Sequence, residues 1–297
     1  MEENDHWEVA GMTYENTVVA AIDDEDPDML LLGWAAAEAA FRGTRLVICH
    51  VCEWRPGDRA PQPMDEGGDP GLRLEPERVV AAALEAVRAA YPDLEVIGAI
   101  GTGSPQRGLL AVADEAAMIV VGARGIGGFA GLLMGSVSGQ VAEHAGCPVA
   151  VVRPVAGSAA DVVVGVDGSP QSAGALELGL AEARRTGGTL IALHAYRYPP
   201  VATAYAPNPG CDDASLRELA ELTLADALDD VEARNPDVKI ERRIDHGPAA
   251  RVLLTAADGA AALVVGARGL GGFTGLIVGS VSQQVLRHAH CPVLVAH

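Results

Sequence analysis

The chain has 297 residues, and 49% of them are apolar, which is enough to fill the cores of two domains. Its formal net charge of −19 at pH 7 counts against nucleic acid and anionic membrane surfaces as partners, because both select for clustered Lys and Arg. The chain holds one lysine, Lys239, so a phosphate site built on a P-loop lysine is excluded at every other position.

The first half begins with an acidic stretch, and we predict an N-terminal tail over 1–13. A domain is predicted over 14–153, followed by a linker at 154–160 with the sequence PVAGSAA. The apolar runs of this domain predict strands near 17–22, 45–51, 95–100, 117–121 and 148–152.

The second half, 161–297, predicts the same alternation of strands and helices. The β-branched run 161–167 is typical of a buried parallel strand, and Ser169 with the proline after it predicts a helix over 171–186. Ser215 and Glu218 form a capping box, which predicts the start of another helix. That helix is predicted to end near Asn235, and two further helices are predicted over 248–258 and 280–289. The remaining predicted strands are TLIALHA, VKIERRI, ALVVG and PVLVAH.

The two halves are copies of one structural unit. Residues 122–153 and 266–297 align without a gap at an offset of 144, and about two thirds of the aligned residues are identical. The same offset relates Asp23 to Asp167 upstream. We therefore predict two homologous domains, each a doubly wound α/β fold with a parallel sheet and helices on both faces.

Each copy contains the motif G-x-x-G-x9-G-S, which follows a strand and opens a helix. In open α/β sheets, ligands bind at the carboxyl ends of the strands, and this is where the segment after the strand lies. Glycine lets a phosphate reach backbone N–H groups, and a helix N-terminus favours an anion. A Ser that caps the helix would add a hydroxyl. The motif therefore predicts an anion cradle without lysine. Its glycines and serines are Gly122, Gly125, Gly135, Ser136, Gly266, Gly269, Gly279 and Ser280.

Two other interpretations of short motifs are weaker. The run 125–130 fits the dinucleotide fingerprint G-x-G-x-x-G/A, but it follows the fourth strand and its copy ends in Thr274, so we reject it. Cys49 and Cys52 form a C-x-x-C, but the run LVICHVC predicts a strand entering a loop, whereas a redox pair needs a helix N-terminus. A structural role for these cysteines is the better interpretation.

The order of these motifs resembles the universal stress protein family in its tandem-domain form. The resemblance rests on a strand followed by Asp, a His after the second strand, Gly-x-Pro before the third helix, the glycine motif and a closing C-P-V strand, and it covers nearly all of 14–153 and 160–297. It implies in each domain a five-stranded parallel sheet of order 3-2-1-4-5. It also implies that each domain binds ATP with Mg²⁺ or Mn²⁺.

The resemblance also implies roles for single residues of the second domain. Asp167 would face the adenosine and the divalent ion, and Ala195 would meet adenine through its backbone. Gly266 and Gly269 would line ribose and phosphates, with Arg268 as a further phosphate contact. The triphosphate would lie on Gly279, Ser280 and Val281. The counterparts in the first domain are Asp23, Val51, Gly122, Arg124, Gly125, Gly135, Ser136 and Val137.

Two ambiguities remain at these sites. The first domain has Asp24-Glu25 where the second has Gly168-Ser169. These carboxylates either form a solvated acidic first turn that suits the helix dipole, or they hold a divalent ion or repel phosphate. His50 and His194, at matched strand ends, either contact a ligand or make structural hydrogen bonds.

The expected function is ATP-dependent regulation of the stress response, with a slow ATPase or a nucleotidyl or phosphoryl transferase as the alternative. The glycine segments contain no duplicated Glu, Gln, Lys or His as a catalytic base, which favours binding. The acidic start has no signal-peptide pattern and no apolar run is long enough for a bilayer, so we expect a cytoplasmic protein. We also expect the two apolar last strands to pair within the chain, with a homodimer formed through the same edges as the alternative.

Overall fold

The computed structural model describes residues 13–23, 28–52, 71–123, 134–155, 160–197, 212–269 and 279–297, with the backbone alone over 71–75. The chain divides into two compact units, 1–153 and 154–297, which we call domain 1 and domain 2. Among the described residues, no helix combines the length and the hydropathy needed to cross a bilayer.

Domain 1 is a five-stranded parallel sheet with helices between successive strands. Its sheet order is β3-β2-β1-β4-β5, so the predicted order 3-2-1-4-5 is confirmed. The elements are β1 (Thr17–Ile22), α1 (Met29–Arg42), β2 (Arg45–Cys52), α2 (Gly71–Ala90), β3 (Val96–Thr102), α3 (Pro105–Ala113), β4 (Met118–Gly122), α4 (Ser136–His144) and β5 (Val149–Val152).

Domain 2 repeats this arrangement, and its strands follow the equivalent order β8-β7-β6-β9-β10. Its elements are β6 (Val162–Gly165), α5 (Pro170–Thr186), β7 (Leu190–Tyr196), α6 (Asp213–Arg234), β8 (Ile240–His246), α7 (Ala249–Ala256), β9 (Ala262–Gly266), α8 (Ser280–His288) and β10 (Val293–Ala296). The predicted doubly wound α/β class is therefore confirmed.

The core of each domain lies between the sheet and the helices that cover it. In domain 2, helix α5 packs on β6 and β9, while α6 packs on β7 and β8. The central strands are apolar on both faces, as expected for a parallel sheet covered on both sides. The largest fully buried side chains of the two domains are Leu32, Leu46, Ile48, Leu109, Met118, Ile119, Leu176, Leu180, Leu190, Leu193, Leu224 and Leu228.

Helix α6 begins earlier than the sequence predicts. Asp212 is the N-cap, and its Oδ1 accepts a hydrogen bond of 2.8 Å from the backbone N–H of Ser215. The predicted capping box at Ser215 is therefore wrong. A carboxylate is a stronger acceptor than a hydroxyl at a helix N-terminus, and Asp212 accepts from the Ser215 N–H group that Glu218 would bind in the predicted box.

Helix α5 gives a matched pair of glycines for testing the packing. An added Cβ at Gly179 would collide with Cγ2 of Val164 on β6, whereas one at Gly174 would lie 3.8 Å from Ala296 Cβ. We expect Gly179→Ala to lower the free energy of unfolding by about 1–3 kcal/mol through overpacking. Gly174→Ala should raise it by about 0.5–1 kcal/mol through helix propensity. Urea denaturation measures both, and equal effects would contradict this packing.

Candidate functional site

Two hydrogen bonds hold the start of the last helix of domain 2 against the end of β9. The backbone N–H of Gly279 donates to the carbonyl of Ala267 over 2.8 Å, which closes the glycine segment at its base. The buried hydroxyl of Ser282 donates to the carbonyl of Gly266 over 2.7 Å. The N-terminus of α8 is therefore fixed at the carboxyl edge of the sheet.

Domain 1 has the same two contacts. Gly135 donates its backbone N–H to Ala123 over 2.8 Å, and Ser138 donates its hydroxyl to the carbonyl of Gly122 over 2.5 Å. The predictions from the sequence missed the roles of Ser138 and Ser282. The sequence did contain a signal for this role: both serines recur at the 144-residue offset, each two residues after the serine of the motif.

The caps of α4 and α8 are glycines, so the expected role of Ser136 and Ser280 as caps is wrong. Gly135 and Gly279 are the N-caps, and neither makes a side-chain cap hydrogen bond. The Gly279–Ala267 hydrogen bond sets the position of the cap, so Ser280 is the first helical residue. The side chain of Ser280 is exposed. The first N–H groups of α8 have no intrahelical acceptor, and an anion is a suitable acceptor for them.

The three motif glycines of domain 2 have different surroundings. An added Cβ at Gly266 would lie 3.0 Å from the backbone carbonyl atoms of Gln171, so this glycine lets α5 approach β9. At Gly269 a Cβ would collide with Oδ2 of Asp167. At Gly279 the nearest atoms of the described residues would be 3.7 Å away, an ordinary contact. Packing among the described residues therefore does not require glycine at 279, which is consistent with close approach by a ligand.

Asp167 lies just beyond β6, beside the glycine segment. Its Oδ1 accepts a hydrogen bond of 3.0 Å from the N–H of Ser169, and its Oδ2 faces Gly269. The structure thus brings together Asp167 and Gly269, which the sequence assigned to one site. Asp23 is the exposed counterpart at the end of β1. Asp24 and Glu25 lie outside the described residues, so their two interpretations remain open.

The histidines at the ends of the second strand of each domain make structural hydrogen bonds. His194 Nδ1 lies 2.8 Å from the carbonyl oxygen of Val166, and His50 Nδ1 lies 3.2 Å from that of Ile22. Both contacts join neighbouring strands near their carboxyl ends. They position the residues that follow, Ala195 and Val51, which are half-buried at this edge.

The remaining predicted residues lie at the same edges. Arg268 is exposed, and Val137 and Val281 are half-buried in the first turns of α4 and α8. Arg124 and Gly125 lie outside the described residues. No group of three or more His, Cys, Asp or Glu side chains suited to a metal occurs in the described part of the chain. Among the described residues, the carboxylate that the sequence assigns to a divalent ion is Asp23 in domain 1 and Asp167 in domain 2, and Mg²⁺ commonly combines one or two carboxylates with phosphate oxygens.

The C-x-x-C motif does not form a redox pair. Cys49 and Cys52 both lie on β2 and are three residues apart, so their side chains point to opposite faces of the sheet. Burial raises the pKa of the Cys49 thiol to about 12, which keeps it protonated at neutral pH. The structural interpretation of these cysteines agrees with both observations.

The universal stress protein family matches this chain twice, over residues 15–153 and 160–297. The chain belongs to this family. Universal stress protein Rv2005c of Mycobacterium tuberculosis is 34% identical over 290 residues, which cover 95% of this chain and 97% of that protein. Universal stress protein Rv2623 of the same species is 32% identical over 291 residues, which cover 94% and 95%. The predicted resemblance to tandem-domain members is confirmed.

Solved structures support the fold over the full length. The crystal structure of a universal stress protein from Archaeoglobus fulgidus has a TM-score of 0.65 with this chain at 20% identity, and the match covers 96% of this chain and 97% of that one. At that identity the likeness concerns the fold.

The different roles of Gly266 and Gly279 give a direct test. We expect Gly266→Ala to lower the free energy of unfolding by about 1–3 kcal/mol, because its Cβ would push against the backbone of α5. Gly279→Ala should cost less than about 1 kcal/mol, the difference between glycine and alanine at an N-cap. Chemical denaturation of the two variants measures this. A larger loss for Gly279→Ala would contradict the ordinary contact distances at the cap.

Proposed function

We propose that this protein is an ATP-binding regulator of the stress response, with one nucleotide site at the carboxyl edge of each domain. The observation that supports it most is the N-terminus of α8, capped by a glycine that packing among the described residues does not require. Domain 1 repeats the fixed helix start at α4. Occupancy of the sites would alter the conformation or the partner affinity of the protein.

The chemistry of the cradle fits a polyphosphate. The backbone N–H groups of Ser280 and Val281 would donate to phosphate oxygens, and the exposed hydroxyl of Ser280 would add a further donor. Arg268, exposed between the two glycines, would add positive charge. Gly266 would line the ribose and phosphates at the end of β9, and Gly269 would line them beside Asp167.

A divalent ion would enter with the nucleotide. Asp167 in domain 2 and Asp23 in domain 1 each offer one carboxylate at the end of a first strand. Mg²⁺ or Mn²⁺ would bridge that carboxylate and the phosphates, where it would neutralise phosphate charge. This proposal implies weak metal binding without nucleotide, because one carboxylate and water make a poor site.

Binding is favoured over catalysis. Hydrolysis or transfer needs a base or a water-orienting residue beside the terminal phosphate. The glycine segments contain no duplicated Glu, Gln, Lys or His, the His194 ring is hydrogen-bonded to the carbonyl of Val166, and the oxygens of Asp167 already face Ser169 and Gly269. A slow ATPase or a nucleotidyl or phosphoryl transferase remains the alternative, and turnover of radiolabelled ATP would distinguish it.

The first test concerns occupancy. We expect the protein to bind up to two ATP per chain in the presence of Mg²⁺, because both domains carry the complete motif. Isothermal titration calorimetry gives the stoichiometry, and non-denaturing mass spectrometry of the purified protein identifies any ligand retained. The absence of heat with ATP and Mg²⁺, together with binding of NAD, would overturn the proposal in favour of the rejected dinucleotide fingerprint.

The second test adds a charge at the cradle. Ser280→Asp should weaken ATP binding in domain 2 by at least about tenfold, because a carboxylate beside the phosphates repels them. It should leave stability almost unchanged, since Ser280 is exposed. Gln284→Asp is the matched control, because it places the same charge on an exposed residue one turn further along α8. Equal affinity of both variants for ATP would show that the phosphates bind elsewhere.

We also propose that the two domains pair through β5 and β10, as a pseudo-two-fold dimer within one chain. Each of these strands ends the five-strand order of its own domain, and both are apolar. An unpaired apolar edge strand is an aggregation hazard that pairing removes. A homodimer that pairs the same edges between chains is the alternative.

Cysteines at Val151 and Val295 test this pairing. We expect Val151→Cys and Val295→Cys, combined in one chain, to give an oxidised product with the mass of one chain. Non-reducing electrophoresis and mass spectrometry report it, and each single variant serves as the control. A crosslink found only in a two-chain product would favour the homodimer.

A further inference from the structure

Domain 2 has a cavity at the carboxyl end of β8. It has a volume of about 360 Å³ and lies between the end of β8 and the first turns of α7. Asp245, Gly247 and Arg251 are among its lining residues. Gly247 has a φ of 147°, and its N–H donates to the carbonyl of Tyr196 over 2.9 Å, which ties the cavity to the end of β7.

The cavity lies in line with the cradle along one edge of the sheet. The strands follow the order β9, β6, β7, β8, so three strand spacings, about 14 Å, separate the glycine segment from the end of β8. Asp167 and Ala195 follow the two strands between them. An extended nucleoside triphosphate with its phosphates at α8 would therefore place its base near β7 and β8.

Asp245 shares a face of the sheet with Ala195. The two residues are paired in register on β7 and β8, so their side chains point to the same side. Arg242, the third residue before Asp245, pairs with Glu232 and Asp229 of α6. Asp245 therefore points away from α6, toward the side of α7 and the cavity.

The carboxylate of Asp245 is held as a hydrogen-bond acceptor. Arg243 contacts Oδ2 through Nε at 2.9 Å and through Nη2 at 2.7 Å. This ion pair fixes the orientation of the carboxylate. Both contacts are to Oδ2, which leaves Oδ1 for a donor from another group.

Domain 1 has no equivalent carboxylate. The residue in register with Val51 on β3 is Gly101. The two proposed nucleotide sites therefore differ at the position beside the base, although their glycine motifs are the same.

We propose that Asp245 determines the base specificity of domain 2 by accepting a hydrogen bond from the 6-amino group of adenine. This inference rests on the proposed ATP binding. A purine with a carbonyl at position 6 would face the carboxylate with an acceptor, which is repulsive in a partly buried site. Domain 2 is then selective for adenine, and domain 1 discriminates less between purines because Gly101 offers no acceptor side chain.

The test compares ATP with inosine triphosphate, which has a carbonyl in place of the 6-amino group. Ser136→Asp serves as the parent, because it disables the proposed site of domain 1. We expect this parent to bind ATP about tenfold or more tightly than inosine triphosphate, measured by calorimetry with Mg²⁺. Asp245→Asn in this parent should reduce the ratio to about twofold, since an amide can donate or accept.

Asp237→Asn is the matched control. It removes the charge of another aspartate that pairs with an arginine, Arg184, at 2.6 Å, on the turn before β8. We expect it to leave the ratio unchanged. The Ser280→Asp protein provides a further comparison, in which domain 1 alone binds, and its ratio should stay within about threefold.

The outcomes separate this inference from the proposed function. If the parent binds ATP and Asp245→Asn leaves the ratio unchanged, the specificity role is wrong while ATP binding stands. A preference for inosine triphosphate or GTP in the parent would also overturn it, as would an equally large ATP preference in domain 1. If the parent binds none of these nucleotides, the proposed function fails and this inference fails with it.

Discussion

A backbone hydrogen bond closes the glycine segment of each domain. The N-cap glycine of the last helix donates it to the carbonyl of the residue that follows the fourth strand of that domain, twelve residues earlier in the chain. It measures 2.8 Å in both domains, between Gly135 and Ala123 and between Gly279 and Ala267. A buried serine in the first turn of the helix donates a second hydrogen bond to the carbonyl at the end of that strand. Because these contacts consume no N–H group of the first helical turn, they fix the helix start and leave its donors for a ligand.

The same edge shows that packing alone accounts for part of the glycine motif. Gly266 lets the backbone of α5 approach β9, and Gly269 leaves space for Asp167. Gly279 has no comparably close neighbour among the described residues. A motif that predicts a phosphate cradle is therefore partly a folding requirement. Its loss in a variant would change the helix packing as well as the donors that the proposed ligand would use.

The sequence predicted most strands and helices to within two residues because their apolar runs are long and repeat at a fixed offset. The first strand was predicted at 17–22 and lies at Thr17–Ile22. The helix starts were less predictable. Asp212 is the cap in place of Ser215 because its carboxylate accepts from the Ser215 N–H group, and glycines take the place of the expected serines because a contact twelve residues away decides that position. Such competition depends on distances, which a local pattern does not contain.

The repeat pattern also did not predict that the two domains differ on the strand beside Ala195 and Val51. A repeat is recognised from the positions at which its copies are identical, such as Asp23 and Asp167. Positions at which the copies differ give no such signal. Sheet register supplies the missing relation: Ala195 has Asp245 beside it, and Val51 has Gly101. Neighbouring parallel strands bring such residues together although about fifty residues of chain separate them. Under the proposed function, duplication would preserve the cradle for a shared ligand group, and divergence on the adjacent strand would allow the two proposed sites of one chain to differ in what they select.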